Sequence, residues 1–202
     1  MSNSFIVDCF AGTSLDEGGQ AVRPIAAGWS AGGGAIYNSL SAYLALRWVS
    51  ILSCFAGSGG GIFSLSRVQL YGVTIDDCHA INGGAIFAFG NLELTFSRLS
   101  RCTASSLGGG LISYSSTDLE NVIIESCAAT SGAGGGIELY NYATLDMVEV
   151  TMRNNTALTR GAAINLGTGA RLHSLVLYLD HWCRGTNGDT VSIINGFLND
   201  PV

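Results

Sequence analysis

The stretch Ile75-Asp76-Asp77-Cys78, followed shortly by Gly83-Gly84-Ala85-Ile86, decides the fold because it recurs. It returns as Ile51-Leu52-Ser53-Cys54 with Gly59-Gly60-Gly61-Ile62, and as Leu99-Ser100-Arg101-Cys102 with Gly108-Gly109-Gly110-Leu111-Ile112. A further copy is Ile124-Glu125-Ser126-Cys127 with Gly134-Gly135-Gly136-Ile137. The closing isoleucines 36, 62, 86, 112, 137 and 164 lie 26, 24, 26, 25 and 27 residues apart. A period in the twenties, in a chain with 28 glycines and two prolines, marks a solenoid.

The apolar residue three before each cysteine serves as an anchor. Residues two, five and seven before the anchor are also apolar: Val49, Leu46 and Leu44 before Ile51, and Val73, Leu70 and Val68 before Ile75. The same reading gives Val150, Met147 and Leu145 before Met152, and Leu175, Leu172 and Ala170 before Leu177. Steps of two are a strand signal, and the step of three between them is a bend. Each coil therefore holds two short strands before the cysteine and a third at the glycine closure. Leucine-rich repeats have a similar period, but their asparagine-centred leucine pattern is missing, and a propeller needs more residues per unit. The expected fold is all-β, a right-handed parallel β-helix of about seven coils with about 25 residues each.

At the closure the chain turns inward under its neighbour, where positive φ or the absence of a Cβ is required. Gly34, Gly61, Gly84, Gly110 and Gly136 are the expected closure glycines. No helix follows them, so they do not read as a phosphate cradle. Cys54, Cys78, Cys102 and Cys127 share one coil position and form an expected inward ladder, which Asn155 continues after Met152 and Asp180 after Leu177. Stacked rungs hold Cβ atoms about 4.8 Å apart, wider than the ~3.8 Å of a disulfide, so reduced thiols acting as small apolar fillers are expected. No Cys-x-x-Cys spacing suggests a metal, and no cofactor is indicated.

Gly33-Gly34-Ala35-Ile36, Gly83-Gly84-Ala85-Ile86 and Met152-Arg153-Asn154-Asn155 resemble the two hallmark tetrapeptides of the polymorphic outer membrane protein repeat, Gly-Gly-Ala-Ile and Phe-x-x-Asn. That resemblance covers nearly the whole chain. It implies a right-handed β-helix on a cell surface, linked to adhesion.

Composition agrees with a coil that points much of itself inward. The apolar share is 48 % and the charged share 12 %, half the usual quarter. A net charge of −6, with no lysine, argues against nucleic acid as a partner. The best apolar run, Tyr43 to Leu52, is too short to span a bilayer and carries Arg47.

The chain reads as one domain over 1–202, with an inserted loop at about 13–30 and an irregular segment at about 184–202. Ile6-Val7-Asp8-Cys9 echoes the anchor and cysteine, so a first coil starts at once. The coil phase at the two ends suggests head-to-tail stacking into a filament, or a segment of a longer β-helix; capping by residues such as Gly196 to Val202 is the alternative.

β-Helices also include polysaccharide lyases and hydrolases, so carboxylate clusters matter. Asp76 and Asp77 are neighbours that alternate faces, Glu125 stands two coils from Asp76 with Ser100 between, and His173, Asp180, His181 and Asp189 follow later. They compose no catalytic constellation, and no catalytic residue is assigned. Asn154-Asn155-Thr156 is a glycosylation sequon with Asn154 as acceptor. The expected function is a non-catalytic structural or adhesive β-helix outside the cell or on its surface. Its expected partners are itself, flanking segments or a glycan. The alternative is carbohydrate binding or processing along an elongated face, which an outward strip of aromatics, with Tyr114, Tyr140 and Tyr142 as candidates, would favour.

Overall fold

The computed structural model describes residues 4–7, 9, 32–174, 176–179, 183–185, 191–193 and 197–199. The inserted loop at 13–30, Asp180, His181, Asp189 and the outermost terminal residues, on which the stacking expectation rests, lie outside the described residues.

The chain winds into a parallel β-helix of about six turns, with strands stacked in four sheets. One coil shows the plan. The closure strand Ile86–Ala88 is followed by Leu92–Thr95, by the anchor strand Arg98–Ser100 and, past Cys102, by Thr103–Leu107. The first three positions recur as seven-stranded sheets and the last as a five-stranded one. The coil thus has four strands where the apolar pattern predicts three. The fourth escapes sequence reading because its inward residues are small: Ala80, Ala104, Ala129 and Ala157 lie in one column and leave no large apolar alternation.

Inside, Ile51, Ile75, Leu99, Ile124 and Met152 stand in register, and all five are fully buried. Each such side chain contributes about 1.5–3 kcal/mol by leaving water. Ile6 pairs with Ile51, so the anchor column does begin near the start of the chain.

Two registers differ from the sequence reading. Leu111, not Ile112, pairs with Ile86 and Ile137; Ile112 turns outward to pair with Phe87 and Glu138. In the last described coil Leu179 pairs with Met152, and Leu177 pairs with Val150. The anchor is therefore Leu179. A shift of two residues keeps every side chain on its face, so strict alternation could not separate the two registers.

Three corners of the coil sit at positive φ. At the residue before the cysteine position, Ser53, Asp77, Arg101, Ser126 and Asn154 have φ between 52° and 55°. At the bend between the two pre-cysteine strands stand Trp48, Gly72, Phe96, Asn121 and Glu149, and at the closure stand Gly33, Gly59, Gly83, Gly108, Gly134 and Gly161. Left-handed backbone costs a non-glycine residue about 1–2 kcal/mol, so the nine non-glycine residues at these corners persist only because neighbouring coils hold the same shape.

Candidate ligand-binding face

The cysteine ladder is structural. Cys54, Cys78, Cys102 and Cys127 are completely buried free thiols. The Cys78, Cys102 and Cys127 Sγ atoms donate to the carbonyl of the preceding coil's anchor at 4.0, 3.7 and 3.8 Å. Cys183 makes the same contact to Met152 O at 3.8 Å and is 2 % exposed. The ladder therefore continues at Cys183: Arg184 pairs with Thr156, which sets Cys183 at the Asn155 position, four residues after Leu179 where the other coils have three. Asn155 imitates a thiol: its Nδ2 donates to Ile124 O at 2.9 Å, and its Oδ1 accepts from Cys127 N at 2.9 Å. Thiol ionisation is strongly opposed. At Cys54 and Cys78 the neighbouring thiol's hydrogen bond raises the pKa first and burial adds to it, whereas at Cys102 burial leads.

The closure glycines divide between two rungs. Gly34 and Gly84 share one rung with Gly60, Gly109 and Gly135, and Gly61, Gly110 and Gly136 occupy the next rung with Ala35, Ala85 and Ala163. Asn154, the candidate glycosylation acceptor, is exposed at its corner, and Asn155 beside it is fully buried.

The acidic candidates are neutralised on the outer face of the anchor sheet. Asp76, Ser100, Glu125 and Arg153 form one column. Asp76 pairs with Arg101 and accepts a hydrogen bond from Ser100 Oγ at 2.7 Å. Glu125 is held between Arg98 and Arg153. Asp77 lies apart at the corner, 3.3 Å from His79, and His173 bonds Asp146 at 2.8 Å. A second acidic column, Glu93, Asp118 and Asp146, runs along the adjacent sheet. Burial, and then Asp146 and Glu93, push the Asp118 carboxyl up. Among the described residues no group of three or more His, Cys, Asp or Glu is arranged to hold a metal ion.

The closure sheet carries something different. Its outward column runs Tyr37, Phe63, Phe87, Ile112, Glu138, Asn165. The first three rings stack with centroids 5.4 Å apart. Beside them a second column begins, with Phe89 on Tyr114 at 4.6 Å and Tyr114 on Tyr140 at 4.0 Å. Phe87 bridges the two columns, 5.2 Å from Phe89 and 5.6 Å from Tyr114. Six rings thus form one strip on one face, with Tyr37 56 % and Phe89 43 % exposed. Tyr114 and Tyr140 belong to it. Tyr142 does not: it projects from the next corner, 79 % exposed. Trp48 joins a separate cluster at the bend, edge-on to Tyr71, which in turn meets Phe96.

The strip ends in a pocket of about 300 Å³. Tyr140, Glu138, Asn165, Arg160, Asn141 and Thr168 are among its lining residues. The rung after Leu139-Tyr140 is Leu166-Gly167, so no ring continues the stack over Tyr140. Glu138 and Asn165 are 6 % and 3 % exposed. Asn165 Nδ2 donates to both Glu138 carboxyl oxygens at 2.9 Å, while Asn165 Oδ1 is buried with no hydrogen-bond partner among the described residues. Burial raises the Glu138 carboxyl to about 7, and the Asn165 hydrogen bond and the Arg160 charge only partly offset that.

Sequence reasoning missed Glu138 and Asn165. The available signal was a carboxylate and an amide on the outward rung that is aromatic or aliphatic in four coils below. It stayed hidden because sequence shows neither the burial of that position nor its place at the end of an aromatic stack. No protein-family model, curated protein or solved structure matches the chain.

Proposed function

We propose that this β-helix is a non-catalytic, adhesive, extracellular protein that holds glycans along its closure face. The observation that carries this reading is the strip of six aromatic rings running along one outer sheet. Exposed Tyr37 and Phe89, with half-buried Phe63, Tyr114 and Tyr140 around the buried Phe87, make an apolar patch of the kind that marks an interaction site. Aromatic rings supply apolar contact for C–H faces, and placed polar groups at their edge give orientation. Asn91, Ser115, Asn141 and Thr168 provide hydroxyls and amides beside the rings, with Ser115 Oγ on Asn91 Oδ1 at 2.7 Å and Thr168 N on Asn141 Oδ1 at 2.9 Å. A carbohydrate, with apolar faces and hydroxyl rims, matches that mixture better than a purely apolar partner does. The resemblance to surface repeats of the polymorphic outer membrane protein type supports the adhesive half of the reading. Arginine pairing of Asp76 and Glu125 supports the absence of catalysis.

The test is binding to a panel of immobilised oligosaccharides by the wild type, a Phe89→Ala/Tyr114→Ala variant and a Phe96→Ala control at the bend. The reading expects selective binding that the strip variant loses and the control keeps. Equal binding by all three, or none above background, would sink it. Polysaccharide turnover abolished by Asp76→Ala would refute the non-catalytic half.

A further inference from the structure

We infer that the pocket at the end of the aromatic strip is a subsite for a primary ammonium carried on a sugar ring, an amino sugar with its nitrogen free. The inference rests on the glycan-binding reading for the ring, but not for the ammonium.

Three features of the pocket converge. The first is a surplus of acceptors. Among the described residues, Asn165 Oδ1 is buried without a donor, and both Glu138 oxygens receive hydrogen bonds from Asn165 Nδ2 alone. A buried acceptor left unpaired is costly, and a donor on a ligand would recover that cost. The second is missing counter-charge. Among the described residues no cation lies within ion-pair distance of Glu138, although the carboxylates at positions 76, 93 and 125 all have arginine partners. Arg160 is exposed at the rim and acts on Glu138 through space alone. A buried carboxylate without a contacting cation is costly, so a bound cation stabilises it strongly. The third is a platform. Tyr114 covers one face of Tyr140, and Gly167 stands where the next rung would cover the other.

An ammonium group has three donors and one positive charge. It can donate to a Glu138 oxygen and to Asn165 Oδ1 together and supply the missing charge, while its ring rests on the open face of Tyr140. A neutral hydroxyl offers one donor and no charge. An N-acetyl group offers one donor and adds an acceptor where acceptors are already in excess. The pocket therefore discriminates for the free amine. Gly134 makes room for the carboxyl: a Cβ there would stand 2.8 Å from Glu138 Oε2.

The charged and titratable groups around Glu138, among the described residues, are Arg160 from the next coil and Tyr114 and Tyr140 from the adjacent column, and the neutral amide of Asn165 bonds it directly. Burial, and then the Tyr140 hydroxyl, raise the Tyr114 pKa. Glu138 is thus the group that switches, rising to about 7 in the free protein. Ionisation favours the ligand, so affinity grows as pH rises toward 7, and falls again once the ligand's own amine loses its proton.

The experiment is a calorimetric or NMR titration of the intact chain with glucosamine, glucose and N-acetylglucosamine between pH 5 and pH 8.5. The expected result is binding of glucosamine alone, with a bell-shaped pH profile at least about tenfold tighter at pH 7 than at pH 5. Glu138→Gln should remove the acid limb and weaken binding at least about tenfold. Tyr140→Ala, at a partly exposed position, should weaken it without touching the pH profile. Equal binding of glucose, a flat profile, or an unaffected Glu138→Gln variant would overturn the inference. Loss of glucosamine binding with oligosaccharide binding intact overturns this subsite alone. The reverse pattern overturns the strip reading and leaves the ammonium site standing.

Discussion

Gly84 and Gly61, on adjacent rungs of the closure, should respond in opposite ways to the same methyl group. A Cβ added at Gly84 would stand 2.1 Å from the Gly109 carbonyl oxygen and 2.7 Å from the Thr103 nitrogen. Both are backbone atoms of the next coil, locked by Gly84 N on Gly108 O at 2.9 Å and Thr103 N on Cys78 O at 2.9 Å. Ordinary contact begins near 3.4 Å, so the coils would have to part by more than 1 Å at that point. Overpacking typically costs about 1–3 kcal/mol, and here no flexible side chain can absorb the strain. Gly84→Ala should therefore lose about 3 kcal/mol, which lowers Tm by roughly 6–12 °C in a domain of this size. At Gly61 the added Cβ meets the Ile75 Cγ2 methyl at 2.9 Å and the Ala85 oxygen at 3.0 Å. Ala35, Ala85 and Ala163 already occupy that rung. Gly61→Ala should fall within about 1 kcal/mol of wild type, helped by the lower entropy of its unfolded chain. Gly110 stands outside this contrast, because a Cβ there would lie 2.5 Å from the Gly136 carbonyl oxygen. Ala162 occupies the tighter rung in the sixth closure, so the prediction concerns Gly84 and Gly61 alone. Thermal and urea unfolding followed by far-ultraviolet circular dichroism reads both variants. Equal melting, or greater loss at Gly61, would refute the claim that backbone stacking selects these glycines.

Asn155→Leu should destabilise by about 2–4 kcal/mol, because it strands the buried Cys127 N–H and Ile124 carbonyl, whereas Asn155→Cys restores the thiol contact and should cost under about 1 kcal/mol. Urea midpoints decide, and equal losses would contradict the imitation. Cys54, Cys78, Cys102 and Cys127 are buried free thiols, and native protein should leave them unmodified by a maleimide over minutes, with reaction only after unfolding. Rapid native labelling at those positions, read by peptide mass spectrometry, would count against the buried ladder. Glu138 has a folded pKa raised from 4.5 to about 7, so its protonated form contributes stability that is full below about 4.5 and lost as pH rises through 7. The loss is at most about 3 kcal/mol. Glu138→Gln should flatten that decline, and unfolding free energies that fall equally in both proteins would exclude Glu138 as its source.

The period of the cysteine and glycine signals was enough to specify a parallel β-helix and its inward anchor column, because coil geometry repeats wherever the sequence repeats. Cys54, Cys78, Cys102, Cys127 and Asn155 could be placed on one ladder for the same reason. What pattern reading could not supply was register to the last residue. Alternation has period two, so Leu177 and Leu179 fit equally well, and only backbone pairing with Met152 chose between them. The alanine strands were silent, since side chains that small carry no period. The ligand-binding face depended on tertiary structure most of all. Tyr37, Phe63, Phe87, Phe89, Tyr114 and Tyr140 span more than a hundred residues of chain, and only coil stacking brings their rings to 4.0–5.6 Å of a neighbour. Glu138 and Asn165 are ordinary surface residues by composition. Burial beside each other, under the end of an aromatic stack, is what makes one a carboxyl that titrates near neutrality and leaves the other with an unpaired oxygen.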